Sequence, residues 1–76
     1  MYNEIVRLRL KEERRKAGYS QEKLAEMTGI DINIIKKIEA KRREPDIENL
    51  GILSEFYNIP TDYFFGLGKK NNNTQI

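Results

Sequence analysis

Seventy-six residues allow one domain with a small core, because a chain of this length buries only about 60% of its unfolded surface. The chain has no cysteine and no histidine, which excludes a disulfide scaffold, a thiolate metal site, a cysteine nucleophile and the commonest general base. The net charge of +2 hides an asymmetry: residues 1–43 hold twelve Lys/Arg against seven Asp/Glu, whereas residues 44–68 hold five acids and no base.

The first helix is expected over residues 3–17, where Val6, Leu10 and Ala17 recur at helical spacing with Arg14 on the same face. Gly18 supplies its C-terminal stop. Ser20 caps a short second helix over 21–28, with Leu24 and Ala25 inward, and Lys23 at its third position leaves the capping box incomplete. Gly29 is free to take positive φ, and Asp31 caps a third helix over 32–40 with Ile35 and Ile38 inward. Lys41, Arg42 and Arg43 form a basic run closed by Pro45. Asp46 caps a fourth helix over 47–57, with Ile47, Leu50, Leu53 (or Ser54) and Tyr57 inward. Gly51 inside that helix costs about 1 kcal/mol relative to Ala. Residues 58–60 break the chain before a last helix over 61–65 that carries Tyr63, Phe64 and Phe65. Residues 67–76 are polar and Asn-rich and are expected to form a flexible tail after a domain of residues 1–66. No stretch alternates with period two. The expected fold class is all-α, a compact five-helix bundle.

No apolar run approaches the roughly 18–20 residues needed to cross a bilayer, and residues 1–9 lack the apolar stretch of a signal peptide. The expectation is a cytoplasmic domain without a membrane partner. The basic half suggests a polyanionic partner, although ordinary solvated helix faces give the same count. With carboxylates and lysines as the remaining acid–base groups, there is no paired-carboxylate site and no Gly-rich phosphate loop, so an enzyme is not expected. No metal, cofactor or small-molecule ligand is expected either.

Residues 20–39 carry the function. Two short helices joined through Gly29-Ile30-Asp31 have the length and glycine placement of a helix-turn-helix. In such a unit the first helix crosses the duplex backbone and the second lies in the major groove. The stretch GYSQEKLAEMTGI at 18–30 resembles the Cro/Xre (lambdoid repressor) helix-turn-helix family. So does IKKIE at 35–39, followed by a basic loop, Pro45 and another amphipathic helix. The resemblance covers roughly residues 6–66. It implies a lambda-repressor-like domain that binds double-stranded DNA and regulates transcription, commonly as a twofold homodimer on a pseudo-palindromic operator.

The resemblance also assigns roles. Gln21 matches the family glutamine that contacts a DNA phosphate and supports the recognition helix. Arg14 and Glu39 match a partly buried salt bridge between the first and third helices, whose role is structural. Lys41, Arg42 and Arg43 occupy a loop that in the family follows the sugar–phosphate backbone. On the third helix the outward face holds Asn33, Lys36, Lys37 and Ala40, with Ile32 at one flank. Asn33 and Lys37 are four apart and share a face; Asn pairs bidentately with adenine and Lys donates to guanine. Ile32, Asn33, Lys36 and Lys37 are therefore the expected base-contacting set. Ile34 either meets a thymine methyl or packs on a neighbouring helix. Isoleucine at both 32 and 34 departs from the polar residues that many relatives carry. That departure supports an alternative in which the third helix contacts a protein, as in an antitoxin-like or anti-repressor module.

Phe56, Phe64 and Phe65 cluster in the acidic half, which DNA would repel. Some of these rings complete the core, and the surplus suggests a self-association surface.

Overall fold

The computed structural model describes residues 2–67. Five helices follow one another: α1 (Tyr2–Lys16), α2 (Gln21–Thr28), α3 (Ile32–Glu39), α4 (Ile47–Tyr57) and α5 (Thr61–Phe64). There is no strand among the described residues. The tail expected over 67–76 lies, apart from Leu67, outside them.

Side-chain oxygens start three of the helices. Ser20 Oγ accepts from the Lys23 amide at 3.0 Å, Asp31 Oδ1 from Asn33 at 2.7 Å and Asp46 Oδ1 from Asn49 at 2.8 Å. Each satisfies a first-turn N–H that has no partner within its helix. The stops share a second device. After α1, α3, α4 and α5 the chain passes through a left-handed residue, respectively Gly18, Lys41, Asn58 and Gly66. At all four, the next amide bonds back across the stop: Tyr19 to Arg14 O, Arg42 to Lys37 O, Ile59 to Ser54 O and Leu67 to Asp62 O. This is the Schellman closure, which satisfies carbonyls that the helix end leaves open. Three of the four residues are Gly or Asn, which take positive φ at little cost; Lys41, at φ 67°, does not.

The core consists of Val6 and Leu10 from α1, Leu24 from α2, Ile35 and Ile38 from α3, Leu50 and Leu53 from α4, Phe64 from α5, and the loop residues Ile30 and Ile59. α3 packs against α1 and α2, and α5 closes against α1 and α4. Ala25 is half-buried against this core, as expected, and so is Tyr19, whose ring lies 5.8 Å from that of Phe56.

Three expected placements are corrected. Ala17 is exposed: α1 ends at Lys16 and the chain turns away, leaving Glu13 and Arg14 as the buried residues of the last turns. Ile47 is 91% exposed. At 100° per residue the buried residues Asn49, Leu50 and Leu53 define a seam on the order of 110° away from it around α4. Phe64, expected at a self-association surface, is 0% exposed, because α5 lays it in the middle of the core. Phe56 and Phe65 are half-buried.

Candidate nucleic-acid interface

α2, the Gly29 turn and α3 form a compact unit. The Gly29 amide closes α2 on Ala25 O, and Ile30 then drops into the core and fixes the direction of the turn. α3 buries Ile35, Ile38 and Glu39 and leaves Asn33, Lys36, Lys37 and Ala40 exposed, as the spacing requires. Ile34 is half-buried and packs against the core, in line with the packing alternative. Ile32, also half-buried, opens the helix beside Asn33. The outward surface of α3 is therefore polar and cationic.

A buried network fixes that surface relative to the rest of the molecule. Arg14 Nε donates to Glu39 Oε2 at 2.8 Å and Nη2 to Glu39 Oε1 at 2.9 Å, a bidentate pair joining α1 to α3. Arg14 Nη1 donates to the Tyr19 carbonyl at 2.7 Å, which ties the α1–α2 turn to the same guanidinium. Gln21 Nε2 donates to Glu39 Oε1 at 2.9 Å. Burial alone would raise the Glu39 carboxyl, but the hydrogen bonds from Arg14 and Gln21 outweigh it and hold the group below the ordinary carboxylate range. Arg14 is raised in turn, chiefly by its hydrogen bonds to Glu39. Gln21, the residue expected to touch phosphate, is thus half-buried and oriented by the salt bridge. Its amide still has one N–H beyond the one given to Glu39.

The basic run after α3 divides. Lys41 Nζ lies 3.0 Å from Glu4 Oε1, and Arg43 Nη2 lies 3.6 Å from Asp46 Oδ2. Arg42 forms no ion pair among the described residues. The same division runs through the whole described chain. Arg7, Arg14, Lys16 and Lys23 each face a carboxylate, and Arg9 stacks over the Tyr63 ring at 4.4 Å. Lys36, Lys37 and Arg42 form no such pair, and neither do Lys11 and Arg15 on α1. Sequence reasoning missed this last pair. The i,i+4 spacing of Lys11 and Arg15 was legible, but nothing in it told which helix end they would face.

Among the described residues no three His, Cys, Asp or Glu side chains are placed to hold a metal ion, and no helix is long and apolar enough to cross a membrane.

Two helices crossing at a glycine turn, the second with a polar cationic face held out from a core by a buried salt bridge, define a helix-turn-helix domain. The chain belongs to the Cro/C1-type helix-turn-helix family, whose pattern matches residues 10–64. Over 66 residues it is 46% identical to the HTH-type transcriptional regulator ImmR of Bacillus subtilis (strain 168), a match that covers 83% of this chain and 52% of that protein. Over 55 residues it is 38% identical to the SPbeta prophage-derived uncharacterized HTH-type transcriptional regulator YonR of the same organism, covering 72% of this chain and 51% of the relative. The chain thus spans about half the length of the curated relatives it matches.

Proposed function

We propose that this chain binds duplex DNA sequence-specifically and regulates transcription, as a repressor that occupies an operator and blocks polymerase. In this reading α3 lies in the major groove, where Ile32, Asn33, Lys36 and Lys37 meet base edges. Gln21 and the run Lys41–Arg43 meet phosphates. The observation that carries it is the partition of the cations: Lys36, Lys37 and Arg42, on and just after one helix, have no carboxylate partner among the described residues, while most others do. A protein-binding role for α3 is the alternative; it rests on Ile32 and Ile34 together, of which Ile34 also packs against the core. Pairing as a twofold homodimer belongs to the same proposal, through a surface that includes the half-buried rings of Phe56 and Phe65.

Selection of bound oligonucleotides from a random duplex pool tests the reading directly. An enriched motif with twofold symmetry is expected, and binding should weaken steeply with salt as counterions are released. Lys37→Ala should change preference at one position by about 1–3 kcal/mol, whereas Arg42→Ala should weaken all sequences alike. No enrichment, or affinity indifferent to salt, overturns the proposal. A monomer at high micromolar concentration in sedimentation overturns the pairing.

A further inference from the structure

An open cleft lies between the second half of α1, the start of α2 and the end of α3. Four cations line it: Lys11, Arg14, Arg15 and Lys36. Its only acid is Glu39, and both oxygens of that carboxylate are engaged, Oε2 by Arg14 and Oε1 by Arg14 and Gln21. Glu39 therefore offsets Arg14 and leaves three positive charges around one concavity. Lys11 lines the cleft from α1, and its positive charge acts on the Glu39 carboxyl in the same direction as that of Arg14. Lys11 and Arg15 are one turn apart on a single face of α1, where like charges repel. None of Lys11, Arg15 and Lys36 forms an ion pair among the described residues. Lys16 and Lys23, also exposed, pair with Glu12 and Glu26.

We infer that this cleft is a binding site for a backbone phosphate of duplex DNA, and that Lys11 and Arg15 extend the contact surface from α3 onto α1. The inference rests on the DNA-binding reading and deepens it. Two residues already assigned to the interface, Gln21 and Lys36, line the cleft, so a duplex seated on α3 passes over its mouth. The cleft is open, and apart from Ala40 every residue lining it is charged or an amide, so its recognition is of charge and not of sequence. The guanidinium of Arg15 offers forked donors and the Lys11 ammonium a mobile point charge, a combination suited to a phosphodiester. Gln21, held by its bond to Glu39, keeps one further amide N–H to donate.

The test is a salt titration of binding to a labelled random-sequence duplex by fluorescence anisotropy, using the full chain. Lys11→Met keeps the aliphatic stem of a half-buried side chain, and Arg15→Gln alters an exposed one. Together they should reduce the slope of log K against log salt by about 0.9, the share of the one phosphate held in the cleft, and Arg15→Gln alone by a part of that. The reductions should be the same on a selected operator duplex as on random sequence. If the double variant proves unstable by circular dichroism, Arg15→Gln carries the test by itself. A slope unchanged by Arg15→Gln, while Arg42→Ala lowers it, overturns the cleft and leaves the α3 interface standing. Absence of salt-dependent binding by the parent chain overturns the DNA reading, and the cleft with it.

Discussion

The bidentate pair between Arg14 and Glu39 makes a sharp demand on mutagenesis. The two side chains are 10% and 6% exposed. Removing Arg14 strips Glu39 of two hydrogen bonds and leaves a buried carboxylate supported by Gln21 alone. Breaking such a pair from one side costs about 3–5 kcal/mol. A core of this size supplies roughly 3–5 kcal/mol in total, so Arg14→Met should be largely unfolded at 25 °C. Replacing both partners, Arg14→Met with Glu39→Leu, removes the uncompensated charge as well as the pair and should return within about 1–2 kcal/mol of the parent. Urea denaturation of the four members of the cycle reads this as a shift in midpoint at constant m. The stable double variant should still bind DNA more weakly, because Gln21 has lost the oxygen that orients it. If Arg14→Met costs less than about 1 kcal/mol, or the double variant is no better than the single, the pair does not couple α1 to α3 as described.

Four further outcomes follow from the same geometry. Lys41→Gly relieves a left-handed lysine and should raise stability by about 0.5–1 kcal/mol in thermal melts, while lowering DNA affinity through loss of a cation. Gly51→Ala places a methyl where no atom lies within 4 Å, on an exposed helical position, and should stabilise by about 1 kcal/mol, raising Tm by about 4–8 °C. Tyr57 has a buried hydroxyl with no hydrogen-bond partner among the described residues, and burial pushes its pKa up to about 12. Tyr57→Phe should therefore be neutral or stabilising by up to about 1 kcal/mol, and a clear loss in urea would show a partner for that hydroxyl. The folded pKa of Glu39 lies below its ordinary 4.5, so its contribution is complete above that value and is lost as pH falls through the folded pKa. Urea midpoints should be level near neutrality and drop below about pH 4.5, less steeply in Glu39→Gln; an unchanged acid profile in that variant would refute the assignment.

Much of this was legible because local rules and tertiary packing agree. Ser20, Asp31 and Asp46 announce helix starts by a short oxygen, and each makes the capping bond. Ile35 and Ile38, three apart, leave only one face of α3 for solvent, so the exposure of Asn33, Lys36 and Lys37 follows from their positions. What sequence could not supply is rotation about a helix axis where the pattern is broken. Ile47 reads as part of an i,i+3 series with Leu50 and Leu53, but the seam of α4 runs through Asn49 instead. The buried loop residues Ile30 and Ile59 lie outside any periodicity. Their signal was the left-handed residue before each, since the position after such a stop commonly turns back to touch the helix it follows. The partner of each cation was out of reach, because Arg7 with Glu4 is a local pair but Lys41 with Glu4 spans the fold.

The helix stops also show where this chain departs from its own rule. After α1, α2 and α4 the left-handed position holds Gly18, Gly29 and Asn58, and the residue that follows, Tyr19, Ile30 or Ile59, packs on the core. After α3 the same closure holds Lys41 and Arg42, a strained residue followed by an exposed cation. What folding gains from this is an exposed ion pair between Lys41 and Glu4, of the kind that contributes about 0–1 kcal/mol, whereas a glycine would relieve the backbone. Departures from local preference of this kind concentrate where a surface is kept for contact with something else. In this chain the departure adjoins the last turn of α3, next to Lys36 and Lys37. The stop has the hydrogen bonds of a structural element and exposed cationic side chains; if these meet phosphates as proposed, its stability and its affinity for DNA should move in opposite directions under mutation.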